Sequence, residues 1–495
     1  MHKDNIVYIK KLNEKNRYPF KTPYNPPRNF PEYPFGDKEV DSSNKVYEEL
    51  RYLLFEMNLD KESFDTKKWN PFKEFIRPGD MVVLKPNMVI HKNLDKCYST
   101  DCLITHGSLI RAILDYVYVA LKGHGKIVIA DGPLQNCDFS KVIIENGVKS
   151  IVNFYKKYGI TIELIDLRNE KAILDLSGRI IGIEKLTGDP RGCTVVNLGK
   201  DSILYDIIDS YKKFRVTCYD PNVMQEHHNP EKNEYLIANT ILEADVIINL
   251  PKAKTHKRAG ITGAMKNLVG INGTKAWLPH HRRGSKYDGG DEYLNHNIFK
   301  DFEVTLQGKI YVAAIKGKQL KRSFITMFCK LASFLRKITT KDKLSEGSWW
   351  GNDTVWRMVC DLNRILIYAD KDGDIQKSPQ RKYITFMDMI VSGEGEGPLS
   401  PRPKETGILM AGYNPLFVDT VLATIMGFDF RKIPNIYNAY KISKYPISNN
   451  NYDLIKIISN NQAWSKQIDD IDFQDTLKFK PSTGWVDHME MKNCI

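Results

Sequence analysis

The sequence contains no CxxC pair, no uncharged apolar run of membrane-spanning length, and none of the short patterns that encode a nucleotide or metal site in one place. Its eight cysteines, Cys97, Cys102, Cys137, Cys193, Cys218, Cys329, Cys360 and Cys494, are scattered, so neither a ferredoxin-type cluster nor a zinc ribbon is encoded locally. A reduced, cytoplasmic compartment fits this usage best. No stretch of roughly 18 or more residues is both apolar and uncharged. The opening "MHKDNIVYIKKLNEKNRYPF" has no hydrophobic signal region, which predicts a chain that neither spans a membrane nor is exported by an obvious signal. The Rossmann glycine fingerprint, the Walker A loop and the HExxH and HxH spacings are missing, as are helix-turn-helix, RNA-recognition and zinc-finger patterns. Nucleic acid as a partner therefore rests on charge alone and ranks last.

What is present describes a folding chain with a basic surface. A hydrophobic fraction of 42% and an aromatic fraction of 11% support a real core. The formal net charge of +12 favours anionic partners: phosphates, carboxylates or an acidic membrane surface. A length of 495 residues allows two or more domains or one elaborated α/β unit.

The pattern along the chain predicts an α/β fold: a mostly parallel sheet with flanking helices, elaborated by insertions. Residues 18 to 35 hold six prolines interleaved with aromatics, which excludes helix and predicts an extended arm lying on another surface. A short amphipathic helix is expected near residues 42 to 57. The stretch "RPGDMVVLKPNMV" then reads as a turn and a buried strand, "GSLIRAILDYVYVALKGHG" as a helix with a glycine stop, and "KIVIADGP" as a second buried strand. A further helix-like stretch and the strand-like "ITIELIDL" repeat the alternation, which argues for parallel pairing. The expected division is an arm and helix over 1–70, a core over 71–300 resumed at 381–430, an insertion over 301–380, and an extension over 431–495.

Ligands of open parallel sheets bind outside the carboxyl ends of the strands, and the chemically interesting residues cluster at such ends. The central strand, "ADVIINLPK", runs into a stretch with no carboxylate between Asp245 and Asp288 but many lysines, histidines and glycines. Gly260 and Gly263 permit tight turns, and the following "AMKNLVG" is expected to open a helix whose free N–H groups face an anion. Candidate binding residues for such a group are Lys85, Asn87, Lys252, Lys254, Gly260, Gly263 and Asn267. Histidines from separate loops, with carboxylates nearby, suit a mixed N/O metal site, and the candidates are His280, His281, Glu394 and Glu396. The "SGEGEGP" segment carrying those two glutamates equally suits a plain flexible turn. The segment "KGKQLKRSFITMFCKLASFLRKITTKDK", residues 316 to 343, places Phe324, Phe328, Leu331, Leu335 and Ile338 on one helical stripe among many cations. That stripe suits an anionic membrane surface or a partner. Ordinary surface helices share the pattern, so packing against its own domain is the plainer expectation.

The order of "VVLKPNMV", "THGSLIRAILDYV", "IVIADGP", "ADVIINLPKAKTHKRAGITGAMKNLVG", "VCDLNRIL", "MDMIVSGEGEGPLSPRP" and "NPLFVDTVLATIMG" resembles the family catalogued as domain of unknown function 362. Some of its members are fused to an iron–sulfur domain, a feature not carried over to this chain, which has no cysteine array. One loop of about forty residues also resembles the nickel-pincer lactate racemases. There a histidine ending a strand precedes, by ten residues, a lysine that carries a covalently attached cofactor, and a later histidine binds nickel. His256, Lys266 and either His280 or His281 stand at the matching places. The resemblance implies an anchoring Lys266, an acid/base His256 and a metal or nickel-pincer-type nucleotide as cofactor. The like charges of Lys252, Lys254 and Lys257 would make the Lys266 amine more available as nucleophile or base.

Two functional expectations follow. The first is a cytoplasmic enzyme binding an anionic small molecule or metal cofactor at loops 85–91, 131–137, 252–281 and 392–419, and catalysing racemase- or epimerase-like proton or hydride transfer. The alternative is a membrane-peripheral accessory or binding protein in cell-envelope polysaccharide biosynthesis, attached through residues 316–343.

Overall fold

The computed structural model describes residues 3–12, 17–36, 40–175, 180–217, 219–340, 342 and 344–492. The main sheet is built from β1 (Ile6–Lys11), β2 (Met81–Pro86), β3 (Lys126–Asp131), β4 (Glu163–Asp166), β5 (Val246–Leu250), β6 (Lys252–His256), β7 (Gly260–Thr262), β8 (Lys382–Glu396), β9 (Ser400–Gly412) and β10 (Lys456–Ser459). The strand order is β10-β1-β9-β8-β5-β2-β3-β4. From β8 to β4 every pairing is parallel, whereas β9 lies antiparallel to both β8 and β1. The fold is therefore α/β, with a mainly parallel mixed sheet and smaller sheets added outside it.

Both faces of the sheet are covered, which is why the central strands read as continuous apolar runs instead of alternating ones. Val82, Leu84, Ile127, Ile129, Val246 and Ile248 point to one face, where helices α1 (Lys45–Glu56), α2 (Gly107–Leu121) and α3 (Val148–Lys157) pack. Their neighbours Val83, Val128 and Ile247 point to the other face, towards α7 (Val355–Tyr368) and α8 (Pro415–Met426). Between these lie the short α4 (Ala264–Asn267) and a helical hairpin, α5 (Ile298–Ile315) and α6 (Gln319–Thr339). The stretch 301–380 thus contains most of the hairpin together with a helix of the sheet's own covering layer.

The proline-rich arm does lie on another surface. Arg111 of α2, fully buried, donates to Pro23 O and Asn25 Oδ1 of the arm at 3.1 and 2.9 Å and to the Tyr33 hydroxyl at 2.9 Å, while its Nε meets Asp115 at 2.7 Å. At the arm's start the Tyr18 hydroxyl is hydrogen-bonded to Asp388 and accepts from Lys252 Nζ at 2.5 Å.

Two sequence expectations are corrected here. "SGEGEGP" is not a flexible turn: β8 runs through it to Glu396, paired with β9 as far as Ser400, and the turn begins only at Gly397. Close packing explains Gly393, since a Cβ there would lie 2.7 Å from Cys102 O and 2.9 Å from the Lys254 Cβ. The apolar stripe of α6 does not pack inward. Ile325 and Ala332 are the buried positions of that helix, against Leu306 of α5, while Phe324 is 63%, Leu331 56% and Ile338 68% exposed.

The second half of β8 extends past the carboxyl ends of the parallel strands, and β6 continues alongside it there, with Lys252 opposite Asp388 and Lys254 opposite Gly393. Lys252 and Asp388 are both fully buried and 3.0 Å apart, and Asp388 also accepts from His106 N at 2.9 Å. Replacing Lys252 by Met leaves a buried carboxylate without its cation, an expected loss of about 3–5 kcal/mol. Urea denaturation should register that loss and its partial recovery in Lys252→Met/Asp388→Asn; an unchanged midpoint in the single variant would contradict the pairing's role.

Candidate functional site

At the strand ends lies a cavity of about 290 Å³ whose lining includes Asn87, Lys254, His256, Lys266, Lys275 and His280, together with Asp131, Arg258, Asn267 and Glu346. Asn87 follows β2, Asp131 ends β3, Lys254 and His256 belong to β6, and Lys266 and Asn267 to α4. Residues of the four expected segments meet here, including Pro398 and Leu399 from the turn between β8 and β9.

A ladder of amides fixes the floor. Asn267 Nδ2 donates to Asn249 Oδ1 at 2.7 Å and to Lys85 O at 3.1 Å, and its Oδ1 accepts from Asn87 Nδ2 at 2.8 Å. Asn87 Oδ1 is left to accept from Lys254 Nζ at 2.8 Å, so the orientation of each amide is determined by its neighbours. Gly270 permits close approach beneath: a Cβ there would lie 2.1 Å from Asp131 Oδ1.

The lysines at the strand ends divide into two groups. Lys85 is paired with Asp131 at 2.7 Å and Lys252 with Asp388 at 3.0 Å, so these two serve as buried counter-ions. Lys254, Lys266 and Lys275 have no carboxylate partner among the described residues, and burial brings each amine down to about 7. Nearby cations add to the effect: Lys252 acts on Lys254, and Lys275 and Arg258 act on Lys266. Lys275 donates to Val269 O at 3.0 Å, whereas the Lys266 amine has no hydrogen-bond partner among the described residues.

The two imidazoles of the cavity are held in opposite tautomers. His256 Nδ1 accepts from the backbone N–H groups of Arg258 and Ala259 at 3.0 and 3.2 Å, which leaves the ring proton on Nε2. His280 Nδ1 faces Leu278 O at 2.7 Å and must donate to it, so Nε2 is unprotonated. Burial, followed by the Lys266 charge, pushes both rings well below the usual histidine range and keeps them neutral near pH 7.

Arg258 closes one side. It donates to Glu346 Oε2 at 2.6 Å, to Glu346 O at 2.7 Å and to Thr217 Oγ1 at 2.9 Å. Glu346 adopts a left-handed backbone with φ of 56°, a conformation that costs a non-glycine residue on the order of 1 kcal/mol or more.

Several expected site residues do other work. Gly263 makes room for Asp419, whose Oδ1 would lie 2.0 Å from a Cβ there; that carboxylate accepts from the N–H groups of Ala264 and Met265. The helix start expected to face an outside anion is therefore occupied by the protein's own Asp419, whose carboxyl is pushed up to about 7 by burial. Gly260, at φ of 78°, turns the chain between β6 and β7 beneath Ile433 and Trp485. His281 points away from the cavity, with Nε2 at 3.8 Å from Glu292. Glu394 meets Lys404 at 3.3 Å and Lys480 N at 3.1 Å, and Glu396 accepts from Thr483 N at 2.8 Å. His280, His281, Glu394 and Glu396 thus do not converge on one point. Among the described residues, the His/Cys/Asp/Glu group close enough to share an ion is the outlying Asp288, His296 and Asp301.

Lys275, Arg258 and Glu346 were not singled out from the sequence. The first two lie within the cationic stretch, where nothing distinguishes them from their neighbours. Glu346 comes from beyond the helical hairpin, and no local pattern connects it to the site.

The poise of Lys266 is testable by competitive acetylation of the folded protein at low reagent, with peptide mapping across pH. Lys266 labelling should rise through about pH 7 and level off above it, because the neutral amine is the reactive form, while exposed lysines continue to rise towards their ordinary value near 10.4. A Lys266 profile that follows the exposed lysines would contradict this electrostatic reading.

The model of the family described as domain of unknown function (DUF362) matches residues 82–186 and 204–424, which run from the second residue of β2 through β9 and include every cavity residue described above. No curated protein matches the chain. It is similar to a Thermotoga maritima protein of known crystal structure, with 11% identity and a TM-score of 0.29, over 72% of this chain and 53% of that one. This chain therefore spans about half the length of that protein, and at such a score the likeness carries no argument. With its family model covering most of the sequence, the chain belongs to the DUF362 family.

Proposed function

We propose that the cavity binds a small anionic molecule and catalyses proton transfer at a carbon beside its carboxyl or carbonyl group, a racemase- or epimerase-like reaction. The observation that supports this reading is the pair of imidazoles with opposite tautomers beside Lys254, Lys266 and Lys275, which have no carboxylate partner among the described residues. His280 Nε2 would remove the carbon-bound proton and become imidazolium. His256 Nε2–H would donate a hydrogen bond to the oxygen on which the enolate charge develops, without giving up its proton. Lys266 as ammonium would return a proton to the carbon, and exchange with water would restore both groups. Lys254, Lys275 and Arg258 hold the anion. The implied nickel-pincer group would be held by the Lys266 amine, which has no hydrogen-bond partner among the described residues, and by His280 Nε2; with that group bound neither residue could serve as the proton donor or base above, so these are alternative uses of the same two side chains. Such a group would supply a hydride acceptor; the steps above belong to the chain's own residues.

Proton transfer of this kind washes solvent deuterium into the substrate. In D₂O, a panel of 2-hydroxy acids and 2-amino acids followed by NMR should reveal exchange with at least one member. His280→Gln and Lys266→Met should slow it by about 10²-fold or more. Unchanged exchange in Lys266→Met would remove that residue from the reaction, and no exchange across the panel would sink the proposal for these substrates.

A second reading, membrane-peripheral binding, is favoured by the outward apolar face of α6. Leu320, Phe324, Met327, Leu331, Phe334 and Ile338 are all more than half exposed, and the helix and the turn before it carry Lys316, Lys318, Lys321, Arg322, Lys330, Arg336 and Lys337. An apolar face among cations is complementary to an anionic bilayer, where each Lys or Arg near the surface contributes about 1 kcal/mol. No helix among the described residues is long and apolar enough to cross a membrane, so attachment would be in the interface plane. The protein should float with phosphatidylglycerol-containing vesicles and not with pure phosphatidylcholine. Phe324→Ser/Leu331→Ser/Ile338→Ser should abolish flotation while leaving the melting temperature unchanged. Absence of flotation by the parent protein would end this reading.

A further inference from the structure

Beside the polar cavity lies a second one, of about 840 Å³, between the helical hairpin and the core. The two adjoin at Val216, Thr217 and Glu346, which line both. The hairpin side of the second cavity is mostly apolar, formed by Phe302, Val304, Val312, Phe324, Ile325 and Phe328. Gly308 in the middle of α5 opens it further, since a Cβ there would meet nothing within 4 Å.

Its two ends differ. At the inner end, next to those shared residues, stands Arg215, whose Nη1 donates to the carbonyls of Lys212 and Phe214 at 2.9 and 2.7 Å and which has no carboxylate partner among the described residues. At the outer end Lys316, Lys318 and Lys321 border the cavity, and Phe324 and Phe328 belong both to its lining and to the exposed face of α6.

We infer that the molecule acted on in the polar cavity is an amphiphilic anion, its charged head among Lys254, Lys266 and Arg258 and its apolar chain in the second cavity beneath the hairpin. This rests on the proton-transfer reading for the head and names the substrate class for it. A free small anion would leave a largely apolar space of this size beside the site with nothing to fill it. A peptide in that space would bring backbone N–H and C=O groups along its whole length, each needing a partner, whereas polar side chains such as Thr305 and Gln307 interrupt the apolar hairpin wall only here and there. An alkyl or prenyl chain needs none, and the volume lies within the usual range of small-molecule sites, about 300–1,000 Å³. Entry from the outer end requires no passage through water, because that end opens on the apolar and cationic face proposed to meet the bilayer.

The test is calorimetric titration of the full chain with n-alkyl phosphates from ethyl to dodecyl, each below its micellar concentration. Affinity should rise by about fourfold for each methylene buried. Gly308→Trp, which fills the cavity and improves helix propensity, should remove the dependence on chain length and leave ethyl phosphate binding unchanged; Val312→Trp is the second filling variant. Dodecyl phosphate binding no tighter than ethyl phosphate would overturn the inference, as would a chain-length dependence that survives both variants. Equal binding of dodecyl maltoside would overturn its anionic part. Ethyl phosphate binding abolished by Lys266→Met with no chain-length gain would uphold the proton-transfer site and reject the apolar cavity. A chain-length gain with ethyl phosphate indifferent to Lys266→Met would do the reverse.

Discussion

The Lys252–Asp388 ion pair is the contact on which the rest of the site depends. It joins β6 to β8 where both run beyond the carboxyl ends of the parallel strands, and Tyr18 and the backbone of His106 complete its shell. With every charge there answered, β6 can continue past the sheet's edge without exposing a buried carboxylate, and Lys254 and His256 follow in the positions from which they line the cavity. The arm is tied to the same pair through Tyr18, so a segment distant in sequence contributes to holding the wall of the cavity.

Burial divides the cations into two functional classes. Where a carboxylate is within about 3 Å, as for Lys85 and Lys252, a buried lysine is structural. Without one, as for Lys254, Lys266 and Lys275, desolvation disfavours the charge until amine and ammonium are comparably populated near neutrality. Charge repulsion among them acts in the same direction but is the smaller cause. The density of positive charge at the end of β5 is thus only partly available to a ligand, and the fraction that is available is also the fraction suited to move protons.

The helical hairpin connects the polar site to a surface of different chemistry. It presents apolar side chains both inward, to the second cavity, and outward, among lysines and arginines. Glu346, with its left-handed backbone, lines both cavities and accepts from Arg258, which lines the polar one. Their ion pair lies where a charged head and an apolar chain would be separated.

Much of the architecture was legible in the sequence because burial on both sheet faces leaves a direct record. "MVVLKP", "KIVIAD" and "VIINL" are uninterrupted apolar runs with helical periodicity between them, and such a pattern can bury itself in few other ways. The crowding of cations after β5 and the presence of Lys254, His256, Lys266, Asn87, Asn267 and His280 near one another were legible for the same topological reason: parallel strands bring their carboxyl ends to one side. Which of those groups are free for a ligand was decided only by tertiary contacts. Lys252 and Lys254 differ by two positions and by nothing in local sequence, yet one meets Asp388 and the other an amide. Asp419 and Gly263 are far apart in the chain, yet their contact fills the helix start that looked open to an outside anion. Secondary structure follows from periodicity along the chain, whereas the state of a buried charge follows from which partner stands within a few ångströms, and that is fixed only once distant segments have packed.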